Sequence, residues 1–388
     1  MYKVVLKKNE EKKILNGFPF VYANEVSKIE GKDKQGSVAK VFAFNGKFVC
    51  YGFINHLSKI IVRVATLKEE TIDKSFVFNR IKTANDFRLK LGYDNNYRVI
   101  FSESDMLSGL IVDKYGDYLV VQILSLAMEI RKNDIVDSLK EIFSPKGIYE
   151  RSDSPIRKKE GLEEYKGWLF GEGDGKTVIT ENGIKIEIDF INGQKTGYFL
   201  DQKENRDNVK HYVKGKTVLD CFCNIGGFSL CSAKYGATQI TSIDISDFAL
   251  DYVRHNSMLN GFTNITTIKA DVFEELRNIK KENKKYDIVI LDPPAFTKSA
   301  DTVKDAIKGY KDVNILGLKL VNSGGYLMTC SCSQHLTLQT FLNMVYESVY
   351  ESGVKAKLVE LRTQGKDHAP LIGVDQGLYL KMAILYII

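Results

Sequence analysis

No apolar run in the chain approaches the ~18 to 20 residues that a membrane-spanning helix needs, which excludes a bundle of membrane spans. The N-terminal stretch Met1-Tyr2-Lys3-Val4-Val5-Leu6-Lys7-Lys8 breaks its apolar run with lysines at once, so no signal peptide is expected there. A disulfide framework is equally lacking. The six cysteines fall at 50, 221, 223, 231, 330 and 332, clustered rather than spread, with no secretory segment to favour their oxidation. The two Cys-x-Cys pairs end predicted strands and do not show the C-x2–4-C turn spacing of zinc sites, so no metal is expected. Nor is there a G-x-G-x-x-G fingerprint for dinucleotides or a P-loop with its Lys-Ser/Thr. These absences leave a soluble, cytoplasmic protein as the expectation.

What is present begins with ordinary proportions. The 388 residues suggest two or three domains, and 44% hydrophobic content is that of a globular protein. The net charge of +6 is mild, but it is uneven. Residues 1–68 hold 13 Lys/Arg against 5 Asp/Glu, a balance of +8 that leaves the rest near −2. A basic block ahead of a neutral body fits a nucleic-acid-binding appendage; a lysine-rich solvated face is the plainer alternative.

Three segments emerge. Residues 1–70 read as a small β-rich domain, with short strands at 38–44, 47–54 and 59–64 between Asn-Gly and Asn-His turns. Residues 71–192 read as a βαβ-rich central α+β domain, with helices at 72–92 and 135–143 and a hairpin at 178–191 through Asn182-Gly183. From 193 to 388 strand and helix alternate, predicting a doubly wound, Rossmann-like parallel sheet with a late antiparallel hairpin.

Four features of the third segment carry chemistry. The apolar strand 217–221 runs through Asp220 into a turn containing Asn224, Gly226 and Gly227. Glycines there let a ligand approach the backbone, and an acid at the turn suits an ammonium better than a pyrophosphate. Asp244 ends the next strand, placed to accept from ribose hydroxyls. Asp271 ends the third, placed to accept from an adenine amino group. These acids stand 24 and 27 residues apart, a regular αβ step, and together they imply S-adenosyl-L-methionine. The fourth feature is a pair of strand ends. One is Asp292-Pro293-Pro294-Ala295-Phe296; the other is Thr329-Cys330-Ser331-Cys332-Ser333.

A thiolate adding to C6 of cytosine turns the ring into an enamine whose C5 can take a methyl group. Cys332, just past its strand, is the expected nucleophile, with Cys330 packed behind it. Asp292, held protonated by a dry strand and the base, would donate to N3. Without the thiol, Asp292-Pro293-Pro294 with Phe296 could instead grip and stack a base whose exocyclic amine is methylated. A non-catalytic RNA-binding assembly factor is a third reading, opposed by the four intact acids.

These residues and their surroundings resemble the bacterial 23S rRNA 5-methylcytosine methyltransferases of the large-subunit methyltransferase I type. The resemblance runs over nearly the full length. It covers Phe18-Pro19-Phe20-Val21-Tyr22, Glu103-Ser104-Asp105, Arg151-Ser152-Asp153 and the run from Gly193 to Arg206, as well as Asp292-Pro293-Pro294-Ala295-Phe296 and Ser331-Cys332-Ser333. It implies an RNA-binding PUA domain, a class I adenosylmethionine domain, 23S rRNA as substrate, and homodimers. It also implies that Gln202 and Arg206 line the cofactor entrance; from the Asp-Pro-Pro-aromatic pattern itself, Pro293, Pro294 and Phe296 are expected to contact the target base. Many other 5-methylcytosine enzymes carry a second cysteine directly after Asp-Pro. Here Ala295 and Phe296 follow, so the group that takes the C5 proton is not identified.

Overall fold

Alternation of apolar and polar residues sets the first strands. In β1 (Tyr2–Leu6) the side chains of Tyr2, Val4 and Leu6 turn inward while Lys3 stays in water. The computed structural model describes residues 1–297, 300–374 and 377–388. They fall into two units, one of Met1–Thr177, Ile188–Leu200 and Lys366–Gly377, the other of Val178–Glu187, Asp201–Gly365 and Leu378–Ile388.

The first unit holds two sheets. After β1 come α1 (Glu11–Leu15), β2 (Phe20–Tyr22), β3 (Val26–Glu30), β4 (Val38–Phe42), β5 (Phe48–Ile54) and β6 (Ile60–Thr66). They form a six-stranded sheet in the order β2-β6-β5-β4-β1-β3. Val4, Val41, Cys50 and Val62 lie at its core. The second sheet follows α2 (Lys74–Lys90), which Asp73 caps by accepting from the Phe76 amide at 3.0 Å. Its strands are β7 (Asn96–Phe101), β8 (Leu110–Tyr115), β9 (Tyr118–Ile123), β10 (Gly147–Ser152) and β11 (Tyr165–Phe170), in the order β11-β10-β9-β8-β7. Helices α3 (Leu126–Ile130) and α4 (Lys132–Phe143) connect β9 to β10.

The central segment departs from the βαβ-rich expectation. Only β9 and β10 run parallel, and the other pairs in that sheet are antiparallel. One helical crossover serves the one parallel pair, and turns suffice for the rest.

The second unit opens with part of the hairpin β12 (Lys176–Glu181) and β13 (Ile184–Asp189). Asn182 and Gly183 at its tip have φ of 50° and 71°, the left-handed pair a tight two-residue hairpin needs. Then α5 (Lys203–Asn208) leads into the alternating region: β14 (Thr217–Cys221), α6 (Gly227–Lys234), β15 (Gln239–Asp244), α7 (Asp247–Leu259), β16 (Ile265–Lys269) and α8 (Val272–Lys281). The chain returns through β17 (Tyr286–Leu291), α9 (Val303–Leu320), β18 (Val321–Ser331), α10 (Leu338–Ser352), β19 (Ala356–Thr363) and β20 (Lys381–Ile387).

The seven-stranded sheet has the order β16-β15-β14-β17-β18-β20-β19. Strands β14 to β18 are parallel, and β20 is antiparallel to both its neighbours. This is the Rossmann-like α/β sheet with a closing antiparallel strand that the sequence predicts. Strand β17 buries Ile288, Val289, Ile290 and Leu291 completely, because helices cover both faces of a parallel sheet. Among the described residues, no helix is long and apolar enough to cross a membrane.

Candidate active site

The chain winds outward from β14 to β16, then returns to the other side of β14 with β17. Ligands of open α/β sheets bind at the carboxyl ends of strands beside such a reversal. Register puts Cys221, Leu291 and Thr329 in one row across β14, β17 and β18. The next residues, Phe222, Asp292 and Cys330, therefore begin the rim together, with Cys332 two residues further on.

The turn after β14 is shaped by three residues with left-handed backbone: Phe222 (φ 61°), Asn224 (φ 50°) and Gly226 (φ 85°). For Phe222 that conformation is costly, and the surrounding bonds hold it. The Cys223 amide donates to the Ile243 carbonyl at 3.0 Å, and the Asn224 amide donates to Asp244 Oδ2 at 2.9 Å. Asp244 Oδ1 accepts from the Ser246 amide at 3.0 Å, so this acid ties the turn to the start of α7. A side chain at 226 would press on Val253, with its Cβ at 3.0 Å from Cγ2.

Asp220 lies beneath the turn with no exposed surface. Its Oδ2 accepts from Ser229 Oγ at 2.6 Å, and Ser229 in turn meets Ser242 at 2.7 Å. Its Oδ1 accepts no hydrogen bond from the described residues. Burial pushes its carboxyl up to about 7 against the pull of Ser229, and the charges of Asp292 and Asp244 push the same way. A buried carboxylate oxygen with spare capacity beneath this glycine turn fits the ammonium of adenosylmethionine's amino-acid end. Asp220, Asn224, Gly226 and Gly227 would hold that end, and Asp244 the ribose. Asp271 is exposed at the end of the loop after β16 and caps α8, accepting from the Glu274 amide at 3.1 Å.

Gln202 and Arg206 separate. Gln202 Nε2 donates to Asp292 Oδ1 at 3.0 Å, and Asn205 Nδ2 steadies the amide by donating to Gln202 Oε1 at 2.7 Å. Arg206 is buried and forms a two-pronged ion pair with fully buried Glu181, at 2.6 and 2.9 Å. Its guanidinium joins α5 to β12. Glu181 carries no motif of its own, so the sequence offered no sign of this partner.

Cys330 is fully buried and Cys332 half-buried. Burial first, and then the Asp292 charge, raises the Cys330 thiol well above its ordinary value, which leaves it a packing group. In the acid loop Pro293 is buried and Pro294 exposed. Phe296 rests 4.5 Å from the Tyr310 ring and 5.9 Å from the Phe273 ring, centre to centre.

Two residues that sequence reasoning did not select join this constellation. The Tyr310 hydroxyl, on α9, is 2.8 Å from Ser333 Oγ and 3.4 Å from the Pro294 carbonyl, and it accepts from the Phe296 amide at 3.4 Å. Lys381, the first residue of β20, donates from Nζ to the carbonyls of Ser333 and Leu336 at 2.8 and 2.6 Å. Tyr310 looks like any aromatic on an apolar helix face. Lys381 had a signal, a single lysine inside the run Tyr379-Leu380-Lys381-Met382-Ala383-Ile384-Leu385.

Comparison with known proteins identifies the family. Residues 157–355 match the family of S-adenosylmethionine-dependent methyltransferases, and residues 4–67 match a PUA-like domain. A ribosomal RNA large subunit methyltransferase I of Aeromonas salmonicida is 38% identical over 385 residues, and one of Vibrio cholerae is 39% identical over 387. Each alignment covers 97% of both chains. The fold matches a chain described as a SAM-dependent methyltransferase from Streptococcus mutans, with a TM-score of 0.85, 21% identity and 100% of both chains covered. It matches equally a methyltransferase structure complexed with SAH, with a TM-score of 0.85, 22% identity and the same coverage. With this sheet and with relatives aligned over nearly its whole length, the chain belongs to the S-adenosylmethionine-dependent methyltransferases, in the ribosomal RNA large subunit methyltransferase I family.

Proposed function

We propose that this protein methylates C5 of a cytosine in 23S ribosomal RNA through a transient bond between Cys332 and the base. The observation that carries this reading is the pairing of strand ends: Asp292 and the Cys330–Cys332 segment leave neighbouring, in-register parallel strands beside the cofactor turn. The relatives' names speak for ribosomal RNA, and the PUA-like match with the basic balance of residues 1–68 speaks for an RNA-binding surface.

Bound adenosylmethionine supplies an electrophilic methyl group. Cys332 Sγ, as the thiolate, forms a bond to C6 of the cytosine, which makes C5 nucleophilic. Asp292, positioned by Gln202 and protonated with the base bound, donates to N3 and so lowers the cost of charge on the ring. Once C5 carries the methyl group, solvent water takes the C5 proton, the C–H electron pair forms the C5=C6 double bond, and the C6–S bond breaks with its pair returning to the Cys332 thiolate. Pro293 and Pro294 shape the acid loop against the base.

Methylation of an exocyclic amine through Asp292-Pro293-Pro294 needs an aromatic face for stacking the flipped base. Phe296 already packs against Phe273 and Tyr310, which favours the thiol chemistry. RNA containing 5-fluorocytosine blocks loss of the C5 substituent and should trap a covalent adduct. The adduct is expected with the unaltered protein and with Cys330→Ala, and not with Cys332→Ala. Methyl transfer without any adduct would overturn the C5 mechanism and return the amine reading.

A further inference from the structure

A lysine with no exposed surface lies on the last strand, facing Ser331 across the β18–β20 pair. Its Nζ donates to two backbone carbonyls, Ser333 and Leu336, on the loop that Cys332 opens. No ion pair to a carboxylate is found for it among the described residues. A buried ammonium normally needs an opposite charge to offset its desolvation. Carbonyl dipoles supply part of that; the charge interaction that favours its protonated form comes from Cys332. Among Tyr310, Cys330 and Asp292, which approach this loop from α9, β18 and β17, only Asp292 carries a negative charge, and that charge acts on Cys330. Tyr310, packed from α9, is held protonated by burial. Cys330 is likewise held as a thiol, and Asp292 acts on Cys330 from the end of β17 while accepting from Gln202.

We infer that Lys381 is a positioning residue for Cys332: it pins the 333–336 loop through two carbonyls, and its ammonium is the counter-charge that favours the Cys332 thiolate. For catalysis this rests on Cys332 being the attacking group. The direction with pH follows. Burial lowers the lysine to about 8, so the ammonium is present below that pH and its support for the thiolate fades above it.

Alkylation by iodoacetamide, followed at the Cys332 peptide by mass spectrometry between about pH 6 and 9, tests this on the full-length protein. In the unaltered protein the reactive form of Cys332 should appear with a midpoint below the ~8.5 of an ordinary thiol. Lys381→Gln should slow alkylation near neutral pH by roughly fivefold or more, and Lys381→Arg should recover most of the rate. Identical pH profiles for Lys381→Gln and the unaltered protein would overturn the inference. If Lys381→Gln does not fold, the unaltered protein decides, since a midpoint at or above ~8.5 overturns it too. The readout is separate from adduct formation. A slowed alkylation together with full methyl transfer by Cys332→Ala would uphold the lysine–thiol coupling and sink the nucleophile assignment instead.

Discussion

A carboxyl group sealed under the cofactor turn has pH consequences of its own. An isolated aspartate loses its proton near ~3.9, whereas burial holds Asp220 to about 7. Between those values the unfolded chain gives up this proton before the folded chain does. The fold without ligand therefore loses the contribution of Asp220 as pH rises toward 7, and the loss levels off above it. Ligand binding runs the other way, because an ammonium on the ligand pairs with the ionised carboxylate. Adenosylmethionine affinity is expected to strengthen by up to roughly tenfold per unit as pH rises toward 7, then flatten. Asp220→Asn should weaken binding and abolish that slope. Calorimetry at several pH values would show it, and an unchanged slope in the variant would assign the proton to another group. Residue type and strand-end position were enough to select Asp220, Asp244, Asp292 and Cys332 in the sequence. They gave no sign of the Arg206 ion pair, whose partner is a buried glutamate on a hairpin that sequence spacing does not connect to it.

At the level of elements, α9 acts as a brace. It crosses the sheet between β17 and β18, and the Tyr310 hydroxyl touches both the acid loop and the cysteine loop. Tyr310→Phe keeps the ring against Phe296 and removes only this link. The expected result is about 0.5–1.5 kcal/mol less stability in urea unfolding. Turnover should fall with little change in adenosylmethionine affinity, because the cofactor turn is untouched; normal turnover would mean the two loops keep their geometry without the brace. The elements that place these loops were readable in advance. Strands β14 and β17 and helix α7 have the bounds their apolar patterns predict, since a buried parallel strand is a short apolar run and a surface helix has a 3.6-residue period. Strands β3, β10 and β11 were not readable. No residue of β3 is fully buried, β10 places Glu150 and Arg151 in buried positions, and half of β11 is exposed. Such strands take their shape from their neighbours rather than from their own pattern.

Across the whole molecule, charge is the property that composition reveals best. The excess of +8 in residues 1–68 includes Lys7, Lys8 and Lys12, all exposed. Replacing these three with alanine should weaken RNA binding about equally for any sequence. It should also make the dependence of affinity on salt shallower, by about one unit of slope for each phosphate that is no longer neutralised. Titrations at several KCl concentrations would measure this; an unchanged slope would move the RNA surface elsewhere. The sequence by itself determined the alternating sheet, the acids at its strand ends, the glycine turn and the basic first segment, because each is written in local pattern, residue type or composition. Only the tertiary structure decided which groups meet at the rim. Lys381 reaches the Cys332 loop because an antiparallel strand returns beside β18, Tyr310 joins two loops because α9 packs over them, and Arg206 is drawn into a buried ion pair. Those meetings depend on strand order, register and burial, which bring distant residues together and carry no local signature.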